Sequence, residues 1–476
     1  MLQSKSTKYF SEISSFFSSE EKSLETIIKV IKGLNINRLK IGIEEFPQSS
    51  YRKSDLLLLC LLFPVFAIEN VRRYIGSSLQ VSFLSEKDTL YRFKNNPLFD
   101  WRSILYKVNR RILSHAVNDD SPKCLIVDDT DFLKSGKKIE HVGRIFSHTS
   151  KGSQIGIKAL VLGYWDGKSF FGLDFSLKKE QGKNEDRPFG LTKKELKAQF
   201  KKKRVSLTPG KQRVDELLLN KIDNGVSLIT RAYKKAIKFD YVLTDSWFVC
   251  EKFIQVALSC KSNLLGMAKM GITLYCYNDK QLKAPQIIKS LVRDKKSKWV
   301  KCLGMYAAEA RVTYNDVPLK LFFFKSSIKG KWHVILTTDC SLKAVRAYQI
   351  YSIRWSIEVF FKEGKQHFKL GKSQSRDFDA QIADTSLSMI QYNIFSLAKR
   401  IEAYETLGGL FEETQKKALE LTLWQRIWEL FMEISSLLAE TFEIEPNEFM
   451  IKILAMENQR QNKLISIFQR TVSNAA

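Results

Sequence analysis

Histidine and cysteine are scarce in this chain, with five and seven residues among 476. The cysteines stand apart at Cys60, Cys124, Cys250, Cys260, Cys276, Cys302 and Cys340, with no Cys-x-x-Cys pair. Neither a zinc site nor a disulfide framework is supported. Glycine and proline are few, at 22 and 9, while 44% of residues are apolar, so a disordered or low-complexity chain is excluded. Long hydrophobic runs are missing too: the longest, Leu56 to Ala67, is broken at Pro64 and is too short to span a bilayer. The first ten residues, MLQSKSTKYF, lack the charged head and apolar stretch of a signal peptide. A soluble, cytoplasmic protein is expected, long enough for two to four domains.

Acidic residues are outnumbered as well, 51 against 77 Lys and Arg, for a net charge of +26. The excess is uneven. From Ile401 to the end, seven basic residues face twelve acidic ones, a net of −5, which leaves +31 on residues 1–400. Such a surface seeks a polyanion, and charge alone points to nucleic acid rather than to catalysis.

Residues 1–118 read as a helical, DNA-binding region. Leu24 to Leu34 is apolar at helical spacing, and Ser54-Asp55 is a cap signal for the run toward Phe66. Thr89 to Lys94, with Tyr91, Arg92 and Lys94, suits a recognition helix; Arg102, Lys107, Arg110 and Arg111 follow. The period changes at Lys123, where CLIVDDTDF predicts a buried strand ending in acids. Ile155 to Tyr164 and Phe170 to Phe175, joined by the turn Trp165-Asp166-Gly167-Lys168, complete an expected antiparallel meander.

Lys178 to Arg213 carries thirteen basic residues against four acids, including the run Lys201, Lys202, Lys203 and Arg204. With Phe189 and Phe200 interleaved, this run is a candidate for the DNA backbone; a solvated surface is the plainer alternative. Beyond it, the pattern predicts a helix over Val214 to Ile237, a strand over Phe239 to Thr244 ending at Asp245, a helix over Phe248 to Cys260 and a strand over Asn263 to Lys269. Residues 270–340 are rich in short β-like pieces, and residues 341–400 are helical. Residues 401–476 form a helical, acidic region whose apolar stripe includes Leu423, Trp424, Ile427, Trp428, Phe431 and Ile434, suited to protein contacts or to a lid on its own chain.

The stretch YSIRWSIEVFFKEGK, Tyr351 to Lys365, is the densest in chemistry. On one continuous helix, Tyr351, Arg354, Glu358 and Lys365 project at about 0°, −60°, −20° and −40°, a single polar face, while Ile353, Ile357, Phe360 and Phe361 supply an apolar flank. Glu358 could simply pair with Arg354 and Lys362. Yet Asp128 ends the first strand, Asp245 ends a later one, and Glu358 follows on a helix. A meander, then helix, strand, helix, strand and an acid-bearing helix is the order of an RNase H-like core. In that fold three carboxylates hold two Mg²⁺ ions that act on a phosphodiester, and hard cations take the oxygen ligands present here. Residues 119–269 would be the first part of this core, 270–340 a β-rich insertion, and 341–400 the Glu-bearing part.

The spacing Tyr351-x2-Arg354-x3-Glu358-x6-Lys365 resembles the Tyr-Arg-Glu-Lys signature of the IS-four superfamily of bacterial insertion-sequence DDE transposases. VDDTD resembles that family's first motif and LTDSWF its second, so the likeness spans roughly Lys123 to Lys372. The resemblance implies that Asp128, Asp245 and Glu358 are the catalytic metal ligands, and that Tyr351, Arg354 and Lys365 hold DNA phosphates. It also implies Mg²⁺ with Mn²⁺ able to substitute, terminal inverted repeats and target DNA as partners, and a homodimeric synaptic complex. Asp129 adjoins Asp128, and only one of two adjacent strand residues can face the site; Asp128 is preferred for its spacing to Thr130, with Asp129 the alternative. In part of the family a Trp of the insertion supports a flipped base, for which Trp299 and Trp332 are candidates against a plain core role. Rival readings are an RNase H-fold nuclease without strand transfer and a transposase-derived DNA-binding protein that no longer cuts.

Overall fold

The computed structural model describes residues 22–36, 39, 51–77, 79–80, 85–115, 121–147, 151–271, 273–401 and 404–420. The chain forms two units. One comprises Met1–Glu25, Phe63–Leu84 and Gly409–Ala476; the other comprises Thr26–Leu62 and Ser85–Gly408. The apolar stripe of residues 423–434 lies outside the described residues.

Helices open the chain: α1 (Lys22–Gly33), α2 (Lys53–Leu62), α3 (Val71–Tyr74), α4 (Lys87–Lys94) and α5 (Trp101–Leu113). In the smaller unit Phe63 stacks on Tyr74, with ring centroids 5.5 Å apart, and residues 409–420 are helical. In the larger unit Asp100 caps α5 by accepting from the Ser103 N–H at 2.9 Å. Lys94 does not point outward as a recognition residue would: it is ion-paired with Asp384 and largely buried, whereas Tyr91 stays 42% exposed.

The sheet begins with β1 (Cys124–Leu133), β2 (Gly143–Ser147), β3 (Gly152–Trp165) and β4 (Phe170–Lys178). Cys124 to Val127 are 0% exposed, as a strand of uninterrupted apolar residues demands. The meander contains one strand more than its sequence pattern indicates. β2 pairs with the first five residues of the long β3, and β4 pairs with the rest. After α6 (Lys193–Lys197) and α7 (Pro209–Asp215), the helix expected from Val214 is interrupted at Leu219, whose backbone is extended, and α8 (Lys221–Lys234) starts afresh under an Asn220 cap. Then come β5 (Tyr241–Thr244), α9 (Glu251–Ser259) and β6 (Asn263–Ala268).

β1 runs antiparallel to β3 and parallel to β5, and β5 runs parallel to β6. The order β4-β3-β1-β5-β6 is that of an RNase H-like core with helical flanks. The insertion does not form a separate sheet. β7 (Leu274–Tyr277), β8 (Lys280–Lys283), α10 (Ala284–Arg293), β9 (Lys298–Val300), β10 (Met305–Tyr314), β11 (Val317–Lys325) and β12 (His333–Thr337) extend the core, because β12 adds antiparallel to the open edge of β6. Pairing that edge satisfies backbone groups otherwise left bare and yields one twelve-stranded sheet. Two hairpins turn on residue pairs with positive φ, Asn278-Asp279 and Asn315-Asp316, as two-residue loops between twisted strands require.

Helices α11 (Ala344–Ser352), α12 (Trp355–His367) and α13 (Phe378–Ile401) follow. α13 is buried along almost its whole length and packs on α5 and β4. Inside that contact Asn393 donates to Asn109 Oδ1 at 2.7 Å and to the Gly172 carbonyl at 2.8 Å, and accepts from the Gly172 N–H at 2.8 Å. This buried amide network ties helix, helix and strand together. Among the described residues no helix is long and apolar enough to cross a membrane.

Candidate active site

Asp128 and Asp245 come together through register. β1 and β5 are parallel neighbours with Val127 opposite Thr244, so each acid stands one residue past their last paired position; Asp245 follows the end of β5, whereas β1 runs on to Leu133, so Asp128 lies within its strand and does not end it as the sequence pattern indicates. Equivalent residues on parallel neighbours project to the same face. Asp245 is held by its own loop, its Oδ1 accepting from the Trp247 N–H at 2.9 Å. The Asp129 N–H donates to Asp128 Oδ1 at 2.8 Å.

The helix carrying the four-residue polar face is not continuous. α11 ends at Ser352 and α12 starts at Trp355. Between them the N–H groups of Ile353, Arg354 and Ser356 bond to carbonyls three residues back rather than four. This tightened turn leaves Tyr351 on α11 and places Arg354 at the junction, with Glu358 and Lys365 on α12. The side chains still converge. Arg354 donates from Nη1 to Asp128 Oδ2 at 3.2 Å and from Nη2 to Glu358 Oε1 at 2.6 Å, bridging two of the three acids. Its Cζ lies 5.9 Å from the centre of the Tyr351 ring. Lys365 Nζ donates to Thr130 Oγ1 at 2.6 Å, two residues along β1 from Asp128 and on the same face. Asp129 turns the other way, ion-paired with Lys158 at 3.7 Å and with Lys221.

Electrostatics follow from this crowding. Burial pushes the Asp128 carboxyl up to about 7; the Asp129 N–H works against this, while the nearby charges of Asp245 and Asp129 add to it. Burial also raises the Tyr351 hydroxyl, and it lowers the Lys365 ammonium. For Arg354, burial is outweighed by Tyr351, Glu358 and Asp128, which hold its guanidinium above the usual range.

The donor chemistry fits a hard divalent cation: the convergent groups are carboxylate oxygens, and the like-charge pressure on Asp128 is what such an ion would relieve. With Arg354 bridging Asp128 and Glu358, no three ligating side chains among the described residues are grouped to hold an ion as they stand.

The basic run divides. Lys201 and Lys203 are exposed, but the Arg204 side chain is 3% exposed and spent on carboxylates. It makes a two-pronged pair with Glu140 at 2.8 and 2.7 Å and bonds Asp379 Oδ2 at 3.1 Å. Lys202 Nζ lies 2.8 Å from Asp377 and 2.9 Å from Asp379. Glu140 also accepts from the Phe378 N–H at 3.0 Å, so this cage fixes the start of α13. Arg204 and Lys202 are therefore structural as placed, which their position in a basic run hid. Trp299 and Trp332 are not core residues either: Trp299 is 52% exposed beside Tyr306, and Lys325 lies 4.9 Å over the partly exposed Trp332 ring.

Thr130 as the partner of Lys365, and Lys158 and Lys221 as the partners of Asp129, are not legible in the sequence, beyond the spacing of Thr130 to Asp128.

Residues 75–268 match the family described as DDE superfamily endonuclease, a span that holds Asp128 and Asp245. Residues 176–394 match the transposase DDE domain, a span that holds Asp245 and Glu358. No curated protein matches the chain. The two matches overlap across Asp245 and together contain all three acids, in the order the topology brings them to one face. The two matches thus support a DDE transposase, a class whose families cleave DNA with divalent metal.

Proposed function

We propose that this chain is a cut-and-paste transposase of the IS-four superfamily, mobilising an insertion sequence. The observation that carries the reading is the register of Asp128 and Asp245, each one residue past the last paired position of β1 and β5, with Glu358 joined to Asp128 through Arg354. Asp128, Asp245 and Glu358 would hold two Mg²⁺ ions, or Mn²⁺ in their place. Bound there, such ions supply an activated hydroxyl and neutralise charge at the phosphodiester.

The chain's own residues set the geometry of the DNA. Tyr351, Arg354 and Lys365 offer a phenol, a guanidinium and an ammonium to phosphates beside the acids. Lys201 and Lys203 extend the cationic surface, and the helical N-terminal region contributes binding to the terminal inverted repeats. The enzyme would act in the bacterial cytoplasm on the nucleoid, as a homodimer that pairs both ends. It would nick each end by water attack and then use the freed 3′-hydroxyl on target DNA, with the acidic C-terminal region making protein contacts.

The test is incubation of purified protein, with and without Mg²⁺, on a labelled duplex carrying the inverted repeat that flanks its gene, resolved on a denaturing gel. Metal-dependent cutting at the repeat boundary, absent in Glu358→Gln while that variant still retains the duplex, is the expected result. Cutting by Glu358→Gln would refute the assignment. Cutting without joining to a second duplex would favour a nuclease.

A further inference from the structure

A second charged assembly shares no residue with the acid cluster. Arg102 on α5 bonds Asp174 on β4 at 2.9 Å and makes a two-pronged pair with Glu216, both contacts at 2.8 Å. Arg231 on α8 reaches the same two acids at 2.5 and 3.2 Å. Arg213 on α7 donates from Nη1 to the Phe175 carbonyl, and that nitrogen lies 3.9 Å from Asp174 and 3.7 Å from Glu216. Three guanidinium groups thus face two carboxylates, leaving one positive charge in excess. Asp174 is fully buried and Arg213 is 5% exposed, so solvent does little to screen that excess. Burial and the neighbouring Arg102 bring Arg213 down to about 10.

Two buried donors here have no acceptor in the protein: Arg213 Nη2 and Trp101 Nε1, the latter on a side chain 2% exposed. Both residues line one cavity of about 270 Å³, together with Ser103, Gln212, Arg231 and Lys235. The acids on its walls are engaged elsewhere. Asp100 caps α5, Glu216 is held by Arg102 and Arg231, and Asp379 is held by Arg204 and Lys202. Water could accept from the two donors, but it adds no negative charge to the three-against-two cluster. An anion with several acceptor oxygens answers both needs.

We propose that this cavity is an oxyanion site that takes a phosphate group, with Arg213 Nη2 and Trp101 Nε1 as its buried donors and Arg231 and Lys235 at its wall. The proposal does not rest on the assignment of Asp128, Asp245 and Glu358. The phosphate comes either from the DNA backbone or from free phosphate in solution.

Thermal unfolding of the full chain, titrated with inorganic phosphate against chloride at constant ionic strength, tests it. Arg213→Met leaves two guanidinium groups against two carboxylates and so should fold; Trp101→Phe removes one donor and no charge. The wild type should show a saturable rise in midpoint, and Arg213→Met should weaken phosphate binding by about tenfold or more, with Trp101→Phe weaker than wild type. No saturable rise in the wild type, or equal binding by wild type and Arg213→Met, overturns the proposal. Where phosphate binding is lost in Arg213→Met, the salt dependence of duplex binding names the source. A slope reduced by about one assigns a DNA phosphodiester, and an unchanged slope assigns free phosphate.

Discussion

The guanidinium of Arg354 lies 3.2 Å from the carboxylate of Asp128, although 226 residues of chain separate them. The same guanidinium holds Glu358 at 2.6 Å, so one cation keeps two acids of a crowded site together. Arg354→Gln should lower stability in metal-free buffer by about 1–3 kcal/mol, since removing one partner of a partly buried pair leaves like charges facing each other. Adding Mn²⁺ should close most of that gap. Thermal melts of both proteins with EDTA and with Mn²⁺ would show it; identical melts in EDTA would mean the bridge contributes nothing.

Lys201→Ala and Lys203→Ala should leave the melting temperature within experimental scatter and weaken duplex binding, because both side chains are exposed. Arg204→Met should behave in the opposite way. It strands Glu140 and Asp379 in a buried cage, at a cost of about 3–5 kcal/mol. Urea unfolding beside a gel-shift titration separates the two effects.

Asn393→Leu removes every partner bond of that amide to Asn109 and Gly172 in the α5–β4–α13 contact. An unfolding cost of about 2–4 kcal/mol is expected from stranding buried donors and acceptors. Urea denaturation checks it, and a loss below about 1 kcal/mol would show that the network is dispensable.

His141 should make stability depend on pH. Burial lowers its imidazole to about 4, with Lys179 and Arg204 adding to the effect and Glu140 opposing it. The folded state thus takes up its proton later than the unfolded chain, whose histidine titrates near 6.5. As pH falls from about 6.5 toward 4 the unfolded state binds more protons, and stability drops by on the order of 2 kcal/mol; above that window the group contributes no slope. His141 has φ 60°, which asparagine tolerates, so His141→Asn should fold and lose that part of the decline. Chemical denaturation of both proteins at pH 7 and pH 4.5 measures the difference. Equal declines would place the titration elsewhere.

The sequence by itself carried most of the order of the elements and the spacing of the candidate acids Asp128, Asp245 and Glu358, because both are local properties. An apolar run such as Cys124–Val127, β-favouring and followed by acids, reads as a buried strand, and Tyr351, Arg354, Glu358 and Lys365 keep their spacing whether the helix is straight or tightened at Ile353. The tertiary structure decided what each charge faces. In sequence only the spacing to Thr130 separates Asp128 from Asp129; the fold pairs Asp128 with Arg354 and Asp129 with Lys158 and Lys221. Arg204 reads as one more cation in a basic run until the fold sets Asp379 beside it from 175 residues away. The sheet likewise continues through residues 270–340 because β6 has an open edge, a property of the assembled core that no stretch of sequence carries. Period and propensity act between near neighbours, whereas the partner of a charge, or of a strand edge, is chosen by the whole fold.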